Sequence, residues 1–307
     1  VSAPTASDAT FKVDGPASDA ADPVSPPSAP GCGTERPDVS GAREPDGLAI
    51  DTDGTLYYSH VRDGWEILGR IRPGGAAPEP EFARVVRGTT PWGLAIDDTR
   101  RRLYFASSGA GTIYVFDLNQ PRPAAQVFLS VPTIRPNDLA VGPNGDLYYS
   151  DHADNHVYRV DLMGAQRLVT TAPIGDGVQG YRPSALAFGP SGDLFVGMRG
   201  WGNIHRLTLT DGLETRRQIF GAFVGWANGL AFDQQGRLYV GLYDNDRTTD
   251  VVRLDPTGVA EEVLLSGGRF SSLAFGRGAL SCNDLYVSDR AGGVRRLTLD
   301  APGLRRP

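Results

Sequence analysis

The sequence predicts an all-β fold, a six-bladed β-propeller of four-stranded blades whose ring is closed by an N-terminal strand. Three observations predict it. A strand–turn–strand unit recurs six times, as DGLAIDTDGTLYYSH, WGLAIDDTRRRLYFAS, NDLAVGPNGDLYYSD, SALAFGPSGDLFVGM, NGLAFDQQGRLYVGL and SSLAFGRGALSCNDLYVSD. The first residues of these units, Asp46, Trp92, Asn137, Ser184, Asn228 and Ser271, are 43–47 residues apart. Such a period, with short strands and Gly/Asp turns, is the signature of propeller blades. No apolar 3.6-residue period lasts for a dozen residues, so helices are not expected.

The alternation in Leu-Tyr-Tyr-Ser and Val-Tyr-Arg-Val-Asp suits strands stacked between neighbouring blades. The DG, NG and GD pairs supply the positive φ of tight hairpins. A third strand follows each unit (TIYVFDL, HVYRVDL, NIHRLTL, DVVRLD, GVRRLTL), and a fourth follows five of them (EFARVV, AAQVFL, QRLVTT, RRQIFG, EEVLLS). The sixth unit ends after three strands, so its outer strand should come from residues 32–40, and closure removes the exposed edge. Cys32 and Cys282 then fall in bottom-face positions of one blade, which predicts a disulfide across the closure.

The propeller is expected to span 32–307. Residues 1–31 are rich in Pro, Ser, Ala and Asp without an apolar period, as in a flexible tether. A tether opening at Val1 and a disulfide together suggest an exported, secreted or surface-tethered chain whose leader has been removed. The formal charge is −6, Lys12 is the sole lysine, and no basic stripe suggests nucleic acid. No run reaches the length of a membrane span. A closed ring needs no partner, so a monomer acting on a small molecule is expected.

First strands start at the top of the channel, and loops between second and third strands return there. Two sets of residues should therefore converge at the mouth: the six unit-opening residues, and a rim carrying His60, Asp151, His152, Arg199, Trp201, Tyr243, Asp244 and Asp289. A concave mouth with a few polar groups is the default ligand site. Neither a His/Cys metal spacing, a G-x-S-x-G elbow nor a phosphate loop is present.

The stretch Arg135-Pro136-Asn137-Asp138, continuing as LAVGPNGDLYYSD to Asp151, resembles the third-blade motif of the gluconolactonase, senescence-marker and regucalcin-like lactonases. Over roughly residues 40–300 the resemblance is one of repeat architecture. It implies hydrolysis of a lactone or related ester, and one divalent cation, usually calcium, at the mouth. In that family the ligands are a Glu in blade one, an Asn in blade three, an Asn in blade four and an Asp in blade five that also acts as base or nucleophile. The matching positions here are Asp46 (with Glu44 two residues earlier as the alternative), Asn137, Ser184 and Asn228. The fifth-blade carboxylate has become an amide, which neither accepts a proton as a base nor attacks as a nucleophile. Calcium favours charged oxygen ligands, so affinity should drop. A neighbour must then supply the base, and Asp138, Asp151, His152 and Asp244 are the candidates on the top face, the first three foremost. Trp92, Arg199, Trp201, Tyr243 and Asp244 are the expected substrate contacts. The alternative is a non-catalytic propeller binding a small molecule, glycan or protein through Trp92, Trp201, Trp226 and Tyr243.

Overall fold

The computed structural model describes residues 32–37, 39, 42, 44–88, 90–174, 181–200, 202–223, 225–244 and 246–304. The segment 1–31 and Trp201 lie outside them. The described residues form six antiparallel sheets around a central channel, each built from one sequence repeat, with strands in sequence order. The innermost strands are Leu48–Ile50, Pro91–Asp97, Pro136–Val141, Arg182–Phe188, Trp226–Phe232 and Phe270–Phe275. The expected fourth strands are present as Glu79–Arg87, Gln126–Ser130, Gln166–Leu168, Leu213–Gly221 and Ala260–Gly268. No helix occurs among the described residues, and hence none long and apolar enough to cross a membrane.

Burial explains the patterning. The first and second strands are covered on both faces by neighbouring blades and read as continuous buried runs, as in Leu238–Tyr243. The outer strands meet water on one side, and Val127, Ile219 and Val263 stay exposed there. The core is a series of inter-blade clusters. One of them joins blades six and one through Leu48, Ile50, Tyr58, Leu280, Tyr286 and Val294, with Ala42 of the N-terminal segment packed among them.

The ring closes at that cluster. Among the described residues the sixth sheet has three strands, and the N-terminal segment joins it by one parallel bridge, Glu35 with Leu280, rather than a full ladder. Gly33 N–H donates to Gly278 O at 2.7 Å, and Glu35 N–H to Ala279 O at 3.0 Å. Gly33 has to be glycine here, because a Cβ would stand 2.0 Å from Ala279 O. The expected Cys32–Cys282 disulfide is present, with Cα atoms 5.7 Å apart, and suits an oxidising compartment. The C-terminal segment crosses the same face, where Leu304 N–H donates to Phe232 O.

Three serines on second strands fix the mouth. Ser59, Ser150 and Ser288 Oγ accept the backbone N–H of Gly47, Asp138 and Ser272 in their own blades, at 2.8, 3.0 and 2.8 Å. They donate to the carbonyls of Trp92, Ser184 and Asp46 in the next blades, at 2.7, 2.6 and 2.8 Å. Each hydroxyl thus holds the residue that opens the next sequence unit around the ring. Ser150→Ala strands a buried donor and a buried acceptor, and should cost about 3 kcal/mol. A lower urea midpoint at unchanged m-value is the expected readout.

Candidate functional site at the channel mouth

Asp46, Trp92, Asn137, Asn228 and Ser271 line a cavity of about 20 Å³ at the top of the channel. Room for one water needs roughly 10–15 Å³, so a single water-sized group fits. Below it lies a chamber of about 350 Å³, lined by Leu48, Leu94, Leu186, Leu230 and Leu273 and reaching the disulfide. Ser184 closes the fourth-blade side. Its Oγ stands 2.9 Å from both Asn137 Oδ1 and Asn228 Oδ1. One hydroxyl hydrogen serves one carbonyl at a time, so these three oxygens share a single donor.

Asp46 is the one carboxylate among the six unit-opening residues. It is 5% exposed, and its backbone is pinned by Ser59 O, Ser271 Oγ and Ser288 Oγ. Burial pushes its pKa up to about 7, against the opposing pull of Arg290. Arg290 Nε lies 3.0 Å from Asp46 Oδ1. That guanidinium also lies 5.5 Å from the Trp92 ring centroid and 3.4 Å from the Tyr243 hydroxyl. Beyond it the rim continues as Tyr243 against Trp226, 5.4 Å between centroids, and Arg199 4.1 Å over Trp226.

The remaining expected site residues are held by contacts of their own. Asp138 bridges blades, with Oδ2 accepting Leu186 N–H at 2.8 Å. Asp151 caps its loop, with Oδ1 accepting Arg135 N–H at 2.9 Å and Ala153 N–H at 2.7 Å; burial raises its pKa while these bonds lower it. Asp244 accepts Asp246 N–H and Arg247 Nε–H, which hold its pKa below the usual range. His152 is buried, and burial followed by Arg199 and Arg182 lowers its pKa to about 3, so it stays neutral. His60 turns away from the mouth, its Nε2 2.6 Å from Pro80 O on the outer strand. Asp289 repeats the Asp151 cap, accepting Arg269 and Ala291 N–H.

A divalent cation does not fit the four matching residues as they stand. Calcium takes six to eight oxygens, preferably charged. Here Asp46 is already paired with a guanidinium, and the other three are neutral oxygens turned toward one another. Among the described residues no group of three or more His, Cys, Asp or Glu could hold a metal.

Arg290 and Arg182 were absent from the sequence-level candidates, although the repeat carries a signal for both. Asp289-Arg290 occupies the loop position of Asp151-His152, and Arg182-Pro183-Ser184 echoes Arg135-Pro136-Asn137.

The family model of the SMP-30/gluconolactonase/LRE-like region matches residues 87–290. No curated protein matches the chain. A gluconolactonase from Xanthomonas campestris is 20% identical, with 87% of this chain and 88% of that one covered and a TM-score of 0.64. A calcium-binding regucalcin from Agrobacterium tumefaciens is 17% identical, with 90% and 98% covered and a TM-score of 0.64. Virginiamycin B lyase from Staphylococcus aureus is 14% identical, with 83% and 84% covered and a TM-score of 0.53. At these identities the structural likeness is one of fold. The family model spans more than half of the chain and includes Asn137, Ser184, Asn228 and Arg290; on that match, the chain belongs to the SMP-30/gluconolactonase/LRE-like family.

Proposed function

We propose that this chain hydrolyses a lactone or related small ester at the top of its channel, with Asp46 as general base and Arg290 as the cation that stabilises developing charge. The observation that carries this reading is the buried Asp46 carboxylate, with the partly exposed Arg290 guanidinium 3.0 Å away, beside a cavity of one water's size. A base is most effective when its pKa lies near the working pH, and burial brings Asp46 there.

In the proposed step a water in that cavity gives a proton to Asp46 as its oxygen bonds to the carbonyl carbon. The carbonyl oxygen takes up negative charge and receives hydrogen bonds from the Arg290 guanidinium and the ring amides. Donors fixed in advance in a water-poor site lower such a barrier most. The C–O bond to the leaving alkoxide then breaks as Asp46 returns the proton. Asn137, Ser184 and Asn228 orient the ester, and Trp92 and Tyr243 flank it.

The Cys32–Cys282 disulfide supports an exported chain, and the closed ring supports a monomer. Family membership supports the ester-hydrolase class. The test is turnover of a panel of lactones and aryl esters by chelator-treated protein. Hydrolysis well above buffer is expected for at least one neutral ester. A panel without turnover, in chelator and with added calcium alike, favours the binding-only propeller.

A further inference from the structure

Arg182 and Arg199 are direct cross-strand partners at the top of blade four. Like charges directly opposite each other destabilise a sheet. Among the described residues no carboxylate pairs with either. Arg199 is half-buried on Trp226, and burial and Arg182 both act against its charge. Beside the two arginines stands His152, 7% exposed, fixed by its backbone N–H to Arg135 O at 3.0 Å. The Pro183 backbone faces the His152 ring, and Nε2 is buried without a partner among the described residues. A neutral imidazole whose other nitrogen donates presents Nε2 as an acceptor.

Among the described residues, two guanidinium groups without a carboxylate thus stand near a buried acceptor without a donor. We propose that Arg182, Arg199 and His152 form a subsite for a hydroxy acid, whose carboxylate lies on the two guanidinium groups and whose neighbouring hydroxyl donates to His152 Nε2. The ligand's flat or apolar body rests against Trp226 and Tyr243. Guanidinium forks match planar carboxylates in a bidentate manner, and the hydroxyl gives Nε2 the donor it lacks. The subsite rests on the mouth being where the ligand binds; it does not require that the ligand be hydrolysed.

Mandelate carries the carboxylate, the adjacent hydroxyl and a flat ring, and serves as the probe. Calorimetric titration of the full chain should show mandelate binding. Phenylacetate, without the hydroxyl, should bind about tenfold more weakly, the worth of one buried hydrogen bond. Mandelamide, without the charge, should bind more weakly still. The double variant R182M/R199M should lose at least tenfold in mandelate affinity and melt no lower than wild type, because it removes a like-charge pair.

Absent mandelate binding, or mandelamide binding as tightly as mandelate, overturns the proposal, as does a folded double variant of unchanged affinity. Inorganic phosphate binding more tightly than mandelate overturns the assignment to a carboxylate. The wild-type comparisons stand whether or not the double variant folds. Turnover of neutral esters by wild type tests the hydrolase reading separately, so the failure of one leaves the other distinguishable.

Discussion

Asp46→Asn is expected to lower kcat/KM for ester hydrolysis about 10³-fold, within the range typical of a lost general base. The amide keeps the shape of the carboxylate and the backbone bonds that pin it, so the loss isolates proton transfer. The same substitution should stabilise the fold at alkaline pH. Asp46 has its pKa raised from 3.8 to about 7 by burial. The folded state therefore holds its proton more tightly than the unfolded chain does. Its contribution to stability is complete below about pH 4, and is lost as pH rises through about 7. Above that, the ionised carboxylate is kept at a cost that Arg290 only partly offsets. The neutral amide avoids this cost and leaves Arg290, one-third exposed, able to reach water. Thermal unfolding at pH 8 should then show the variant melting above wild type, the gap narrowing toward pH 4. A variant both inactive and less stable at pH 8 would assign Asp46 a structural role only.

Loss of the Cys32–Cys282 bridge should have the largest effect on stability. The bridge closes a loop spanning 250 residues of sequence separation, worth ~5 kcal/mol in the chain-entropy model. Among the described residues, the other contacts that tie the N-terminal segment to blade six include one isolated bridge, the Gly33 and Glu35 amide bonds, the packing of Val39 and Ala42, and Arg36 near Asp284. The variant C32S/C282S should melt about 10 °C lower in a scan at neutral pH. Its turnover at 25 °C should be close to that of wild type, since the bridge sits at the opposite end of the channel from Asp46. A melting point within a degree of wild type would show that the inter-blade cluster around Ala42 closes the ring unaided.

Most of the scaffold was legible in the sequence, for a physical reason. A propeller repeats one supersecondary unit, so the same alternation and turn chemistry appear six times and each copy checks the others. The slot equivalence that set Asp46, Asn137, Ser184 and Asn228 around one mouth came from that repetition. So did the placing of Cys32 and Cys282 on one face. The closing strand was legible in place but not in form, because one parallel bridge has no periodic signature. The chemistry at the mouth was less legible. Asp138 and Asp151 looked like free carboxylates, but each serves backbone N–H groups, one across blades and one within a loop, that periodicity does not reveal. Arg290 meets Asp46 across the ring closure, from the opposite end of the sequence. The raised pKa of Asp46 depends on burial in the assembled ring, which no local motif encodes.

Activation of water by a buried carboxylate beside a guanidinium is the chemistry proposed for this mouth. The pH dependence of kcat/KM, measured on wild-type protein in chelator with a neutral ester, tests it most directly. A rise with pH through an apparent pKa near 7 is expected, reaching a plateau once Asp46 is ionised, with the rise absent in Asp46→Asn. A flat profile across pH 5–9, or activity that vanishes in chelator and returns with calcium, would contradict it.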